Sequence, residues 1–400
     1  MKTKVLAIYL PQFHTIPEND EWWGEGFTEW TNVKRGRPFY PGHYQPREPL
    51  GDDYYDLSDL KVLEKHTKMA ARAGIYGFCF YHYYSQGNKL LEMPIENYRD
   101  DSKENFPYCL IWANQTWART WYRAKTGNKV LWKQNYGEQN EWENHFLYLL
   151  SFFKDERYIK VRNKPVYIIY LPQDIHYKQP MFELWDSMAK ANGFDGLYLI
   201  AMNTCYGKDE NARLYDAYMD FEPLFTIQRD NSWRKWLQGE KIDRIQNQRI
   251  EGKSFWNLLL ANNSYSYDYV AKKALKRFRK SDAKTYGGIF TGWDNTARRD
   301  EEGMIITGAS PKKFGKTVRK MLQMSESQRK EFVFINAWNE WSEGAYLEPD
   351  KKYGYVFLKT LKKEIQQFGG KRNEKGNNSS FVSSCGSSSR YDRNRKGIGG

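Results

Sequence analysis

Lys4-Val5-Leu6-Ala7-Ile8-Tyr9-Leu10-Pro11-Gln12-Phe13-His14 is the stretch that decides between two architectures. Residues 4–10 form a short apolar run of the kind that becomes a buried strand. Pro11 stops it, and polar and aromatic residues follow. An open doubly wound sheet usually carries a glycine-rich phosphate turn after its first strand; Pro11-Gln12-Phe13-His14 cannot be that turn. A closed barrel of parallel βα units instead places loops of varied chemistry at each strand end.

Working outward, short apolar runs alternate with amphipathic stretches. The expected strands are Lys4–Leu10, Tyr76–Tyr81, Tyr108–Ala113, Val166–Leu171, Leu197–Ala201, Ala217–Phe221, Gly287–Thr291 and Phe332–Ala337. Helices are expected near Ser58–Ala73, Gln139–Phe153, Met181–Asn192, Tyr269–Arg279, Pro311–Met324 and Val356–Phe368, with Gly74 and Gly193 as C-terminal stops. Eight strands, each followed by a helix or a loop plus helix, is the count of a single (β/α)₈ TIM barrel over residues 1–368. The polar, Trp-containing segment from strand 6 to about Tyr267 reads as an insertion with some helix. Residues 369–400 are basic and rich in Ser, Gly and Asn, and are expected to form a disordered tail.

Composition narrows the function. Aromatics make up 17% of the 400 residues, with 15 Trp and 30 Tyr, many beside polar residues. That surplus suits a cleft lined with flat rings as well as a large core. The net charge is +13, part of it in the tail, and no nucleic-acid motif accompanies it. Nucleic acid is therefore not expected as a partner, and peripheral contact of the basic tail with anionic membrane is the reading that the charge allows. Cys79 and Cys109 lie in apolar runs and read as small buried residues, fitting a reducing compartment. Lys2 and Lys4 precede an apolar run shorter than a signal-peptide core, and no stretch approaches a membrane span, so a cytoplasmic location is expected.

Active sites of such barrels lie where strands end. Polar and aromatic residues collect there: Tyr9, Gln12 and His14 after strand 1; His82 and Tyr83 after strand 2; Trp112, Asn114, Gln115 and Trp117 after strand 3; Asp220 and Glu222 after strand 6; Trp293, Asp294 and Asn295 after strand 7. Strand 8 runs into Trp338-Asn339-Glu340-Trp341-Ser342-Glu343-Gly344. Two carboxylates three residues apart, flanked by indoles, supply what glycoside chemistry needs: an acid for the leaving oxygen and a second carboxylate at the sugar. Apolar neighbours raise one carboxyl and so separate the two roles. An isolated Glu-x-x-Glu reads first as a pair of exposed loop residues; the position at a barrel strand end is what gives this one functional weight. His82 reads as a sugar ligand or a core histidine, and Asp294 and Asn295 as sugar ligands or caps. Trp22, Trp23 and Trp30 read as a cleft roof or as loop anchors. Asp220-x-Glu222 resembles the acidic pair that holds a metal and a sugar nucleotide in many transferases. The six histidines show no close metal-ligand spacing.

Ala7–His14, Trp22–Trp30, His43–Pro46, Gly77–Tyr83, Gly292–Thr296 and Asn336–Gly344 together resemble the WbsX-like glycosyltransferase family, which is similar to glycoside hydrolase family 99, the endo-α-mannosidases and α-mannanases. The resemblance covers roughly residues 4–366. It implies a (β/α)₈ barrel with no metal or cofactor and an oligosaccharide or polysaccharide substrate. It also implies a role in bacterial O-antigen, capsule or other surface-polysaccharide metabolism. It further implies that Glu340 is a base that takes the proton of the sugar's own 2-hydroxyl, which attacks the anomeric carbon, and that Glu343 is the general acid. Family members commonly carry a Glu after the strand 3 Trp-Ala-Asn; here that position is Gln115.

The expected function is therefore an enzyme that makes or cleaves an α-glycosidic bond with retention. The alternatives are a non-catalytic glycan-binding barrel, which would keep the rings but not need the carboxylates, and a membrane-surface or nucleic-acid binder working through the tail. Removing residues from about Gly369 onward should leave the melting temperature nearly unchanged, because that segment lacks the apolar residues that offset ordering entropy. A large drop on truncation, read by calorimetry, would contradict the tail reading.

Overall fold

The computed structural model describes residues 2–118, 130–209, 211–229 and 263–378. All eight expected barrel strands are present: β1 Lys4–Tyr9, β2 Gly77–Ser85, β3 Tyr108–Trp112, β4 Lys164–Ile169, β5 Tyr198–Asn203, β6 Ala217–Asp220, β7 Thr285–Phe290 and β8 Phe332–Asn336. Each pairs in parallel with its neighbours, and β1 pairs with both β2 (Ile8↔Cys79) and β8 (Val5↔Val333), which closes the ring. Both faces of these strands are buried, so they are continuous apolar runs rather than alternating ones. The thiols of Cys79 and Cys109 lie on paired strands, 3.5 Å apart and buried.

Around the ring lie α1 Leu60–Ala73, α2 Met93–Asp101, α3 Gln139–Phe153, α4 Lys178–Ala191, α5 Tyr267–Arg279, α6 Pro311–Ser327 and α7 Val356–Asn378. Local chemistry sets their ends. Asp59 caps α1 by accepting from the Lys61 N–H, and Gly74 closes it at φ +87°, a conformation that only glycine adopts freely. Ser310 caps α6, and Pro311 supplies its first turn. In α1 the buried residues Leu63, His66, Thr67, Ala70 and Ala73 recur at helical spacing and form the face laid on the barrel.

Two expectations change, and a third falls largely outside the described residues. The connection from β5 to β6 holds no helix among its described residues. α7 runs to Asn378, so the boundary expected at Gly369 falls within a helix; residues 379–400 are outside the described set. Most of the expected insertion, residues 230–262, is also outside it. Among the described residues no helix is long and apolar enough to cross a membrane.

At the C-terminal mouth, where the ladder stops, asparagine side chains take over backbone hydrogen bonding. Asn339 accepts from the Leu10 N–H at 2.8 Å and donates to the Leu10 carbonyl at 2.9 Å, which ties β8 to β1. Asn114 does the same with Leu171, at 2.8 Å for both bonds, beyond β4. These two residues, expected as sugar ligands, are buried structural clips. Replacing Asn339 with Leu keeps the volume but strands a buried donor and a buried acceptor, at about 1–3 kcal/mol each. Asn339→Leu should therefore lower the unfolding free energy by about 2–5 kcal/mol in urea titration, and a loss under about 0.5 kcal/mol would rule out the clip.

Candidate active site

Beyond β8 the chain makes a tight two-stranded turn. Asn339–Glu340 pairs antiparallel with Ala345–Tyr346, with Trp341–Glu343 as a single 3₁₀ turn between them. Gly344 closes that turn at φ +63°, and a Cβ there would lie 3.0 Å from the Arg47 guanidinium. Position 344 thus needs glycine for both conformation and space. The turn brings Glu340 and Glu343 to one cavity, lined also by Gln12, Tyr81, Tyr83, Gln115, Trp117, Tyr170, Trp293 and Arg298.

Among the described residues three carboxylates converge on Arg298, which follows β7 in the short helix Thr296–Arg299. Its Nε lies 2.9 Å from Glu29, its Nη1 2.7 Å from Glu343 and its Nη2 3.8 Å from Glu340. Glu29 begins the helix Glu29–Lys34 in the long loop after β1 and also accepts from the Ser342 hydroxyl. Glu340 Oε2 is buried with no hydrogen bond among the described residues. Burial pushes Glu340 well above the usual carboxylate range; nearby Glu343 adds to this, and Arg298 opposes it. Burial raises Glu343 too, with Arg298 opposing and Glu29 adding. One guanidinium close to three carboxylates, two of them buried, leaves the site short of positive charge, which favours the protonated form of a carboxyl there.

Of the expected site residues, Gln12, Tyr83, Gln115, Trp117 and Trp293 join the two glutamates. Gln115 donates to the Tyr206 hydroxyl at 3.1 Å. Trp117 packs edge-on against Tyr83, with ring centres 5.2 Å apart. The others lie elsewhere. Tyr9 is hydrogen-bonded to His66 of α1 at 2.9 Å, and His82 meets His145 of α3 at 3.0 Å. Burial, with Lys89 adding, lowers His82 to about 3, so it is a neutral core histidine. Trp112 donates to the Tyr84 carbonyl and packs on His145 and Trp185. All three face the helical layer rather than the mouth, because successive strand residues point to opposite sides. Trp30 donates to the Tyr55 carbonyl; Trp338 and Trp341 both donate to Glu348. They anchor loops. His14 is buried, and neither ring nitrogen has a partner among the described residues.

Asp220 and Glu222 form a buried ion-pair cluster with Arg277 of α5, and Asp220 accepts from Asn203 at 2.8 Å. Glu222 is pushed up to about 7, by burial first, against the pull of Arg277 and with a further push from Asp220. These carboxylates are engaged by a guanidinium, not arranged around a cation site. Asn295 accepts from the Met304 N–H and holds the loop after β7. Asp294 is saturated by His43 at 2.9 Å, Gln45 at 3.0 Å, Arg47 at 3.3 Å and Thr296 at 2.6 Å. Burial alone would raise Asp294, but the His43 hydrogen bond and the Arg47 charge outweigh it and hold the carboxyl near 2.

Sequence reasoning missed Arg298, Glu29, Tyr81 and Tyr170. Tyr81 was legible, since it lies two residues before Tyr83 and shares its side of β2. Arg298 was not, because its partners lie 269, 42 and 45 positions away or more across three loops.

The sequence matches the family described as glycosyltransferase WbsX over residues 5–361. It is 33% identical over 366 residues to a protein of Xanthomonas campestris pv. campestris named WxcX, described as uncharacterized, an alignment covering 90% of this chain and 49% of that one. The protein of the same name from a second strain is also 33% identical, over 369 residues. The chain spans about half the length of the curated relatives it matches. Among solved structures, a family 99 endo-α-mannosidase from Bacteroides thetaiotaomicron, bound to bis-tris-propane, aligns over 92% of this chain and 98% of its own, with a TM-score of 0.50 and 11% identity. A glycoside hydrolase-like protein aligns over 91% and 94%, with a TM-score of 0.51 and 15% identity. At these identities the likeness is one of fold.

The raised Glu340 carboxyl has a consequence for stability. An unfolded glutamate ionises near pH 4.5, while the folded Glu340 keeps its proton to higher pH. Its contribution is therefore fully present below that pH and is lost as pH rises through the folded pKa. Glu340→Gln removes the titration. The variant should melt with the parent at about pH 4 and a few degrees above it at about pH 8. A gap independent of pH, or of opposite sign, would contradict the raised carboxyl.

Proposed function

The chain belongs to the WbsX glycosyltransferase family, and from that premise we propose that it is a carbohydrate-active enzyme that makes or breaks an α-glycosidic bond with retention, using Glu340 and Glu343. The observation that carries the reading is the pair itself: two carboxyls with raised affinity for protons, three residues apart at the mouth of a closed barrel, in a cavity walled by Tyr81, Tyr83, Trp117 and Trp293. Glycosyl transfer needs a proton donor for the leaving oxygen and a base on the sugar side.

In the assignment carried by the family resemblance, Glu340 takes the proton of the sugar 2-hydroxyl, the hydroxyl oxygen bonds to the anomeric carbon, and the glycosidic oxygen leaves with the proton of Glu343. An acceptor then opens the intermediate at the anomeric carbon: water in a hydrolase, a sugar hydroxyl in a transferase. The unpartnered Oε2 of Glu340 supports this assignment, as an acceptor free to receive a hydroxyl. The opposite assignment has its own support. Arg298 lies 2.7 Å from Glu343 and favours its anion, while it stands 3.8 Å from Glu340, whose carboxyl burial pushes well above the usual range. The neutral Gln115 can hold a substrate hydroxyl but not accept a proton at neutral pH. Biosynthesis of a bacterial surface polysaccharide, in the cytoplasm, is the setting proposed.

Glu340→Gln and Glu343→Gln should each fold and lose about a hundredfold or more in turnover, the scale of a positioned acid or base. Substrates whose leaving group departs without a proton should restore the variant lacking the acid and not the one lacking the base. Rescue of Glu343→Gln supports the first assignment, and rescue of Glu340→Gln the second. Parent-level turnover in both variants would sink the catalytic reading and leave a glycan-binding barrel.

A further inference from the structure

Beside the catalytic cavity, which measures about 120 Å³, lies a second of about 280 Å³ that the mechanism does not use. Trp293 lines both, so its indole is their common wall. Its backbone neighbour ties the two together, because the Asp294 N–H donates to the Glu343 carbonyl at 2.6 Å. The second cavity is walled by Tyr40, Tyr44, Tyr346 and Tyr353, and floored by Thr291 at the end of β7.

Three features set it apart from an ordinary packing gap. First, polar atoms without partners collect around it. Tyr44 Oη, Thr291 Oγ1, Trp293 Nε1 and Arg47 Nε are all buried and make no hydrogen bond among the described residues. A buried polar group left unpaired is costly, so four around one cavity point to a partner that arrives from outside. Second, Tyr40, Tyr44, Tyr346 and Tyr353 all border it, and several rings carrying hydroxyls suit a ligand with one apolar face and a hydroxyl rim. Third, the charges balance. Arg47 is matched by Asp294, and the two other charged residues at the cavity are one of each sign, Lys352, which lies over the Tyr44 ring, and Asp350, which accepts from the Tyr346 hydroxyl. No net charge is left to select an anion. Neither cavity alone reaches the roughly 300–1,000 Å³ usual for a ligand site, but the two together do.

We propose that this second cavity binds an uncharged sugar unit of the same glycan whose bond lies at Glu340 and Glu343, so that the ligand spans both sides of Trp293. The proposal rests on the carbohydrate reading above and adds to it a position and a charge preference.

The full chain, its Glu340→Gln form, and Ala309→Trp and Thr291→Val variants would be probed on an array of immobilised neutral and uronate-containing oligosaccharides of two to six units. Ala309 borders only the second cavity, and a tryptophan there fills it; Thr291→Val removes one hydroxyl at constant shape. Neutral oligosaccharides should bind the parent, with Glu340→Gln serving only to stop turnover during the measurement. Ala309→Trp should weaken the best of them by about tenfold or more, and Thr291→Val by several-fold, each with a melting temperature near the parent's. Should Ala309→Trp fail to fold, Thr291→Val decides alone. Parent-like affinity in the folded variants would overturn the second cavity while leaving the catalytic reading intact. Binding confined to uronate-containing glycans would overturn the charge preference, and with it the proposal. Binding of no glycan at all would overturn both the cavity and the carbohydrate reading.

Discussion

Arg298 and the three carboxylates around it are the constraint on which the mouth of this barrel depends. The contacts join three separate pieces of chain: the loop after β1 through Glu29, the loop after β7 through Arg298 itself, and the turn after β8 through Glu340 and Glu343. Burying a carboxylate costs several kcal/mol unless a cation answers it, and removing one partner of such a pair typically costs about 3–5 kcal/mol. A planar guanidinium with several fixed donors can serve more than one carboxylate at once, which a lysine ammonium does poorly. The single positive charge cannot neutralise all three groups. That shortfall, with burial, raises the proton affinity of Glu340 and Glu343 above that of an ordinary carboxylate.

The same device recurs around the rim in structural form. Asp220 and Glu222 after β6 are answered by Arg277 of α5, and Asp294 after β7 by Arg47 together with His43 and Gln45. The difference lies in the ratio of acceptors to donors. Asp294 has more donors than it needs and is held near 2, whereas Glu340 keeps an oxygen with no donor. Acidic residues at strand ends thus differ in proton affinity according to their neighbours: Asp294 is held low, Glu340 is raised, and Glu222 is raised to about 7 by burial although Arg277 opposes it.

The aromatic surplus divides too. Tyr81, Tyr83, Trp117 and Trp293 line the cavity of Glu340 and Glu343, while Tyr9, Trp112, His82 and Trp338 fill the layer between strands and helices. On β2 the boundary runs between adjacent residues: Tyr81 and Tyr83 face the cavity, and His82 between them faces α3. Large rings on the outer face of a strand are core, however polar their sequence neighbours, because the helical layer buries that face as thoroughly as the barrel interior.

What the sequence determined by itself is what local chemistry carries. The eight apolar runs, the α1 cap at Asp59, the Gly74 stop, Pro311 opening α6, and the Glu-x-x-Glu turn after β8 each follow from residues a few positions apart. Propensity, capping and turn geometry act over that range. The tertiary structure decided which side each strand residue faces and which distant groups meet. A one-residue error in parity turns every side chain to the opposite face, and that is how Tyr9, His82 and Trp112 read as cleft residues when they belong to the outer layer. Asn114 and Asn339 look like sugar ligands until the ring closes and leaves Leu171 and Leu10 backbone groups for them to satisfy. The meeting of Arg298 with Glu29, 269 positions away, exists only because closure of β8 on β1 brings the loop after β1 beside those after β7 and β8.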